Sequence, residues 1–351
     1  MSSPPDSAPG SALSPSGSAR DDQFRVPEGR LTPAPACTRV LSLSGGGYRG
    51  LYTARLLARI EESDKFGAGS AVPIGARFDM IAGTSVGGIL AAGLAAGVAA
   101  SELYAMLAQW GPSIFPKLVL RKLKKLVSKT VYDAGPLEAA IVACLDGWAG
   151  KTLAEIDKPL MLTTVSWSLG ELRLLRSRGL AGDDADTCTL LEAARATSAA
   201  PAHFPALMLD DDWHLDGGLA ANCPDAHALG EAQRRGVPVR MLGVGTTGVQ
   251  HKSVPSRLPL RGLYWAQPAL DLAMQAQERM AQATCMRELK ASYLHLDSEA
   301  GGDQQILRDL DVATPDATVA LTRLADQRFE ALVARPDETR RLRFIMGDGE
   351  T

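Results

Sequence analysis

The stretch Phe78–Gly97 reads FDMIAGTSVGGILAAGLAAG, and it decides how the rest of the chain is interpreted. An apolar run, Met80–Ala82, precedes GTSVG at residues 83–87, and a long Ala/Gly/Leu segment follows. This order is typical of a strand, a tight turn and a buried helix, with Ser85 placed where its hydroxyl can attack a carbonyl. The glycines suit a strained turn, in which neighbouring side chains would collide with the strand and the helix.

Two other interpretations of this stretch exist. A bare GxSxG pattern also arises by chance in chains rich in Gly and Ser, so the motif alone is a weak signal. No charged residue lies between Asp79 and Glu102, which is long enough for a membrane span. The segment is mostly Gly and Ala, however, and this weak hydropathy favours a buried central helix over a span.

The totals of the chain exclude several classes of protein. Its 351 residues are 46% hydrophobic and 22% charged, as in an ordinary globular protein with a sizeable core. The formal net charge of -3 argues against a general nucleic-acid binder. The five cysteines are scattered and show no CxxC spacing, which predicts neither a disulfide framework nor a zinc site and favours a reducing cytoplasm.

Composition divides the chain into three parts. Residues 1–36 are rich in Pro and Ser and carry almost no large apolar residues, so we expect a disordered N-terminal tail. This tail lacks the basic start and apolar core of a secretion signal. We expect a catalytic core over residues 37–246 and, over residues 247–351, a C-terminal helical extension packed on that core.

A second glycine-rich turn lies near the start of the predicted core. Residues 39–44 alternate like a strand, GGGYRG follows at 45–50, and a helical pattern begins at Leu51. A strand, a glycine-rich turn and a helix gather backbone N–H groups around a small concavity that attracts anions. Such a concavity can hold a phosphate or the oxyanion of a tetrahedral acyl intermediate.

The GxGxxG spacing of Gly45, Gly47 and Gly50 also occurs in dinucleotide-binding proteins. Those proteins need an acidic residue about 20 residues further on, at the end of a second strand. The acidic residues present here fall on the predicted helix or just past it: Glu61, Glu62 and Asp64. Dinucleotide binding is therefore the less favoured interpretation.

Residues 117–129, KLVLRKLKKLVSK, form a basic amphipathic pattern. Apolar residues share one helical face and six cations lie opposite, which suits peripheral contact with an anionic membrane surface. A surface helix packed on the core through the same apolar stripe fits equally well.

The remaining elements predict an α/β fold. Residues 159–167 and 171–176 suggest a hairpin, a capping box at Thr189 opens a helix, and residues 207–215 suggest a second hairpin. Its turn contains Asp210, Asp211 and Asp212, which we interpret as solvated rather than as a metal site. A strand at 239–244, a helix at 268–290, a strand at 292–296, a helix at 315–334 and a charged tail complete the pattern, with a mainly parallel sheet.

Three motifs thus fall at predicted strand ends: GGGYRG at 45–50, GTSVG at 83–87 and DGG at 216–218. Active sites in such sheets form at the carboxyl ends of strands. Together with ATSAAPAHFPA at 196–206 and DGGLAANCP at 216–224, this order resembles the patatin-like phospholipases over roughly residues 39–246. That family usually has two Asn before the Pro, whereas this chain has Asn222 and Cys223.

The resemblance implies a patatin-like three-layer sandwich, with a mainly parallel central sheet flanked by helices. It implies Ser85 as the nucleophile and Asp216 as its general base. It also implies an oxyanion hole made by the backbone of Gly45, Gly46 and Gly47, with Arg49 nearby to bind substrate or another anion. Neither a metal nor a cofactor is expected.

The general alternative is an esterase or thioesterase that uses a Ser–His–Asp triad. In the common order the His follows the Asp, which leaves His227, His251 and His295 as candidates. His203 and His214 precede Asp216, and we interpret them as structural. A non-catalytic phosphate-binding module is the third interpretation, although phosphate binding alone needs neither the GTSVG turn nor the DGG motif.

The resemblance also implies a biological setting. A lipid acyl hydrolase of this type is expected in the cytoplasm, acting on membrane phospholipid at the inner face of the membrane. The LSLSGGGYRG start at residues 41–50 resembles the phospholipase effectors of bacterial anti-phage systems, which a cyclic oligonucleotide switches on. A cyclic oligonucleotide activator and a homo-oligomer are therefore expected, although no nucleotide motif is visible after residue 246.

Overall fold

The computed structural model describes residues 37–66, 72–116, 132–145, 147–248, 266–298 and 311–347. Three sequence-based predictions lie outside these ranges: the tail at 1–36, the basic amphipathic segment at 117–129, and His251. The described residues form one eight-stranded sheet and eleven α-helices.

The strands follow the predicted positions closely. They are β1 (Thr38–Leu43), β2 (Met80–Gly83), β3 (Leu160–Ser166), β4 (Glu171–Arg176), β5 (Leu207–Leu209), β6 (Asp212–Asp216), β7 (Val239–Val244) and β8 (Tyr293–Leu296). Their order in the sheet is β5-β6-β3-β2-β1-β7-β8, with β4 paired to β3. The pairs from β3 through β2, β1 and β7 to β8 are parallel, and β4, β5 and β6 join in antiparallel pairs. The predicted α/β class with a mainly parallel sheet is confirmed.

The helices lie mainly between the strands, as an α/β fold requires. They are α1 (Gly50–Glu61), α2 (Val86–Ala95), α3 (Ala100–Ile114), α4 (Gly135–Leu145), α5 (Arg178–Ala181), α6 (Leu190–Thr197), α7 (Gly218–Ala221), α8 (Asp225–Gln233), α9 (Ala266–Leu289), α10 (Pro315–Ala334) and α11 (Pro336–Met346). The capping box predicted at Thr189 is present, because Glu192 and Thr189 exchange hydrogen bonds at the start of α6.

Hydrophobic side chains project from both faces of the sheet. In β1, Leu41 and Leu43 join a large core cluster that includes α1, α2, α3 and α10. Val40, which points the opposite way because side chains alternate along a strand, joins a smaller cluster with α8 and α9. The sheet is therefore flanked by helices on both faces, as predicted.

The Ala/Gly/Leu segment after GTSVG is the short helix α2, and all of its residues except the last are buried. Its small side chains let α2 lie close to the sheet, where it packs against β2 and β3. Across the described part of the chain, no helix combines the length and the apolar character that crossing a bilayer requires.

The C-terminal part contributes a strand as well as helices. Strand β8 extends the sheet beside β7, and α10 packs along α1. The charged tail predicted after residue 334 is wrong, because α11 follows at once with Pro336 in its first turn. Its charged residues lie on one face while Leu342, Ile345 and Met346 are buried on the other.

One edge of β3 explains how two distant motifs meet. Strand β4 pairs along the whole of one edge of β3. On the other edge, β2 pairs with residues 160–162 and antiparallel β6 with residues 164–166. The carboxyl ends of β2 and β6 therefore point toward each other, which brings the GTSVG turn and the DGG motif together.

Candidate active site

Ser85 occupies a strained turn between β2 and α2. Its φ of 55° is positive, which costs a non-glycine residue about 1–3 kcal/mol and occurs mainly at functional sites. The backbone N–H of Ser85 donates to the hydroxyl of Thr197 at 2.9 Å, which holds the turn. Gly87 is required here, since a Cβ at that position would lie 2.4 Å from the carbonyl oxygen of Leu43.

Ser85 and Asp216 are direct hydrogen-bond partners. The Oγ of Ser85 donates to Oδ2 of Asp216 at 2.7 Å, and Oδ1 of Asp216 accepts the backbone N–H of Gly218 at 2.7 Å. Burial raises the pKa of Asp216 to about 6, although the hydrogen bonds from Ser85 and Gly218 oppose that rise. A carboxylate with this pKa is ionised at neutral pH and is a stronger base than an exposed aspartate.

The glycine-rich turn lies against the same cavity. Gly46 and Gly47 line it together with Ser85 and Asp216, and Gly47 has a φ of 56° that favours glycine. The N–H of Gly45 is not available to an oxyanion, because it already donates to the carbonyl oxygen of Asn222 at 2.9 Å. Of the three glycines predicted to form the oxyanion hole, Gly46 and Gly47 are the two that line the cavity.

The cavity beside Ser85 has mainly apolar walls. Its apolar lining includes Val86, Ile89, Met106, Leu107, Ile114, Phe115, Leu137, Ile141 and Phe204. Most of these side chains come from α2, α3 and α4, so the helical layer forms the walls while the strand ends supply the polar floor. A cavity of this kind can accept a long apolar group beside a reactive serine.

Arg49 lies in a second cavity rather than beside Ser85. Asn222 lines both cavities and so lies between them. The polar lining of the second cavity includes Ser44, Arg49, Thr246, Thr247, Asp271, Gln275, Glu278, Gln282, His295 and Asp297. Among the described residues, neither the buried Nε of Arg49 nor the buried hydroxyl of Thr247 has a hydrogen-bond partner.

Burial dominates the electrostatics of the second cavity. It lowers the pKa of Arg49, against the opposing pull of nearby carboxylates, and it raises the pKa of Glu278 and of Asp297. For His295, burial favours the neutral ring, but the hydrogen bond and charge of Asp225 outweigh it and raise the pKa. The cavity therefore offers both cationic donors and carboxyl groups to a polar ligand.

Among the described residues, no histidine is hydrogen-bonded to Ser85 or Asp216. Nδ1 of His295 is 3.0 Å from Oδ2 of Asp225 and faces the second cavity, and His227 is exposed on α8. His203 lines the cavity of Ser85, but its Nε2 lies 3.5 Å from Asp311. His214 is buried on β6. The direct Ser85–Asp216 contact thus matches a dyad rather than a triad.

Two residues around the site were not identified from the sequence. Thr197 receives the N–H of Ser85, and Asn222 holds the glycine-rich turn through its contacts with Gly45. Asn222 was noted only for its Cys neighbour, and Thr197 lies within the segment 196–206 whose resemblance was noted without a role. Both act through hydrogen bonds between distant segments, which no local pattern displays.

Comparisons with known proteins identify the family of this chain. Residues 41–229 match the family model for patatin-like phospholipase. A cGAMP-activated phospholipase of Pseudomonas aeruginosa is 32% identical over 80% of this chain and 85% of its own length, and one of Vibrio cholerae is 36% identical over 71% and 77%. The solved structure of VipD from Legionella pneumophila aligns over 83% of this chain and 67% of its own, with 13% identity and a TM-score of 0.38. The chain belongs to the patatin-like phospholipase family and is accordingly a hydrolase.

Proposed function

We propose that this protein hydrolyses acyl esters of membrane phospholipids through Ser85 and Asp216. Oγ of Ser85 attacks the ester carbonyl carbon and passes its proton to Oδ2 of Asp216. The tetrahedral oxyanion accepts hydrogen bonds from the backbone N–H groups of Gly46 and Gly47. Collapse breaks the ester bond, and the proton on Asp216 goes to the departing lysolipid alcohol. Water then attacks the acyl-enzyme, gives a proton to Asp216 and releases the fatty acid as Ser85 recovers its proton.

The observation that carries this proposal is the 2.7 Å contact between Ser85 and Asp216 at the floor of an apolar cavity. A serine hydroxyl is a weak nucleophile until an adjacent base removes its proton. The raised pKa of Asp216 gives that base enough strength, while the apolar walls accept an acyl chain.

The test compares Ser85→Ala and Asp216→Asn with wild type on phospholipid vesicles, with released fatty acid and lysolipid measured by mass spectrometry. Each substitution should lower the rate by at least about 10³-fold, because dyad members act as a unit. Ser198→Ala is a matched control, since Ser198 lines the same cavity but its Oγ donates to the carbonyl of Ala194. A Ser85→Ala variant that still hydrolyses phospholipid at the wild-type rate would contradict the proposal.

We further propose that a cyclic oligonucleotide activates the enzyme, as an anti-phage effector requires, and that it binds in the second cavity. The relatives named as cGAMP-activated phospholipases support the activator. The buried Nε of Arg49 and the buried hydroxyl of Thr247 support the site, because neither atom has a hydrogen-bond partner among the described residues and both can donate to a phosphate.

Asn222 links the second cavity to the cavity of Ser85 through hydrogen bonds. It lines both cavities and donates to Gly45 on one side and to Glu278 of α9 on the other. A ligand that binds Glu278 would break its hydrogen bond with Asn222. Asn222 would then position the glycine-rich turn differently.

Hydrolysis measured with and without cyclic dinucleotides tests this regulation. Arg49→Ala should abolish the stimulation while a fluorophosphonate probe still labels Ser85. Arg287→Ala, at an exposed arginine on α9, is the control that should respond like wild type. Equal stimulation of the Arg49 variant would place the activator elsewhere.

We propose that the enzyme is a cytoplasmic homo-oligomer that acts at the inner face of the membrane. In this proposal residues 37–246 form the catalytic core, and residues 247–351 form an extension that supplies one wall of the second cavity. Cell fractionation and light scattering of the purified protein check the location and the assembly. A strictly monomeric active enzyme would contradict the assembly.

A further inference from the structure

Exposed apolar side chains gather at the tips of two hairpins. Four of the exposed large hydrophobic side chains among the described residues lie there: Trp167, Leu169, Met208 and Trp213, which are 69%, 67%, 45% and 48% exposed. Trp167 and Leu169 lie in the turn between β3 and β4, and the other two lie on β5 and β6. We call these four residues the tip patch.

Three members of the tip patch are neighbours across the strands. The backbone N–H of Trp167 donates to the carbonyl of Trp213 at 2.8 Å, which continues the β3–β6 ladder by one pair. Met208 lies directly opposite Trp213 in the β5–β6 pair. Directly opposed residues share a face of the sheet, so Trp167, Trp213 and Met208 lie side by side.

The turn that carries the tip patch is held in place. Oδ1 of Asp212 accepts the N–H of Ser168 at 3.1 Å, and its other oxygen accepts the hydroxyl of Ser166. Gly170 closes the turn with a φ of 66°, a conformation that glycine adopts without strain. Trp167 and Leu169 are therefore exposed on a preorganised turn.

The tip patch lies at the same end of the sheet as the catalytic residues. Trp213 precedes Asp216 by three residues on β6, a distance of about 10 Å along the strand. Helix α7 packs against both β3 and β4, and its Leu219 lines the cavity of Ser85. Because side chains alternate along β6, Trp213 and Asp216 point to opposite faces, so the tip patch and the catalytic dyad share one end of the sheet but not one face.

We propose that the tip patch anchors this protein in the interface of a phospholipid bilayer and so brings the cavity of Ser85 to its substrate. Indole side chains suit this position, because one end is apolar and the N–H can reach water or headgroups. This inference rests on the proposed function, since a lipid substrate is what makes a bilayer the partner. The patch exposes roughly 500 Å², which falls short of the ~800 Å² per partner of a stable interface between two copies.

The charges beside the tip patch define the kind of bilayer. Glu171, Asp210 and Asp211 are exposed acids on the same two hairpins, while Arg173 is paired with Asp186. Such a surface gains nothing from anionic lipid, so the anchor works through apolar burial and suits a zwitterionic interface. It differs in this respect from the basic segment 117–129, whose predicted contact is electrostatic.

The test measures binding to phosphatidylcholine vesicles by co-sedimentation, in a Ser85→Ala background that keeps the lipid intact. Trp167→Ser/Leu169→Ser should weaken binding by about tenfold or more, with little change between 0.1 and 0.5 M salt. Val319→Ser is the control, because Val319 is as exposed as Leu169 but lies on α10. With Ser85 restored, the double variant should hydrolyse water-soluble p-nitrophenyl butyrate at the wild-type rate.

Three results would overturn the anchor. One is equal vesicle binding by wild type and the double variant. Another is binding that requires anionic lipid and disappears at 0.5 M salt. The third is a wild-type dimer that the double variant dissociates while vesicle binding stays unchanged, which would assign the patch to a second copy. Absence of butyrate hydrolysis in wild type, both with and without cyclic dinucleotides, would instead count against the proposed function, and the binding measurement would still stand.

Discussion

Gly45 and Asn222 hold each other through a pair of hydrogen bonds. The N–H of Gly45 donates to the backbone carbonyl of Asn222 at 2.9 Å, and Nδ2 of Asn222 donates to the carbonyl of Gly45 at 3.3 Å. Thr246 adds a third hydrogen bond to the same Gly45 carbonyl at 2.8 Å. The segment after the DGG motif thus positions the turn that carries Gly46 and Gly47.

Replacing Asn222 by Ala should therefore lower kcat with little change in KM. The glycine-rich turn would lose one of its supports, and a misplacement of about 1 Å at an oxyanion donor can cost on the order of 10²-fold in rate. Steady-state kinetics on a soluble ester measure both constants. Gln277→Ala is the control, because Gln277 donates to the carbonyl of Leu219 at 3.2 Å and, in the described part of the chain, has no hydrogen bond to Gly46 or Gly47. A change confined to KM would show that Asn222 acts on substrate binding instead.

The pH profile of kcat/KM should show one ionisation near pH 6. Asp216 accepts a proton only when it is ionised, and burial raises its pKa to about 6. Below that pH the rate should fall about tenfold per pH unit, and above it the rate should reach a plateau. Measurements from pH 4.5 to 8.5 on a soluble ester check this. A flat profile down to pH 5 would contradict Asp216 as the base.

Asp216→Asn should stabilise the protein at pH 8 while it inactivates the enzyme. The pKa of Asp216 is higher in the folded state than the ordinary 3.8, so its stabilising contribution is complete below about pH 4 and is lost as the pH rises through 6. A pKa that is raised by about two units lowers the free energy of unfolding at pH 8 by at most about 3 kcal/mol. The Asp216→Asn variant carries a neutral amide and would not lose this stability.

Thermal unfolding at pH 8 and at pH 4 checks this expectation. The melting temperature of the variant should exceed that of wild type by a few degrees at pH 8, and the difference should shrink at pH 4. A variant that is less stable than wild type at pH 8 would mean that the hydrogen bonds of Asp216 outweigh its burial.

Gly87→Ala should damage both stability and activity, whereas Gly230→Ala should damage neither. A Cβ on Gly87 would lie 2.4 Å from the carbonyl of Leu43, so the end of β1 and the Ser85 turn would have to separate. A methyl group added at Gly230, on α8, would meet no atom of another segment within 4 Å, and alanine there should stabilise the helix by about 0.5–1 kcal/mol. Urea unfolding and ester hydrolysis measure the two effects. Similar behaviour of both variants would show that the close approach at Gly87 is dispensable.

Much of the fold was predictable because its signals are local. Alternating or continuous apolar runs identified β1, β2, β3 and β7, and the capping box identified the start of α6. Helix α11 was missed because its charged residues dominate the composition of the segment, although Leu342, Ile345 and Met346 are buried. Composition alone does not separate a charged tail from an amphipathic helix.

The sequence by itself determined the order of the three motifs, the identity of Ser85 and Asp216 as the predicted dyad, and the strands that present them. The strands and turns depend on short-range periodicity and turn chemistry, whereas the dyad follows from the resemblance of the three motifs to those of the patatin-like family. Only the tertiary structure decided that β2 and β6 share one edge of β3, which places Ser85 and Asp216 2.7 Å apart. It also placed Arg49 in a separate cavity and Trp167 beside Trp213. These relationships depend on strand order and on contacts between distant segments, so no stretch of sequence contains them.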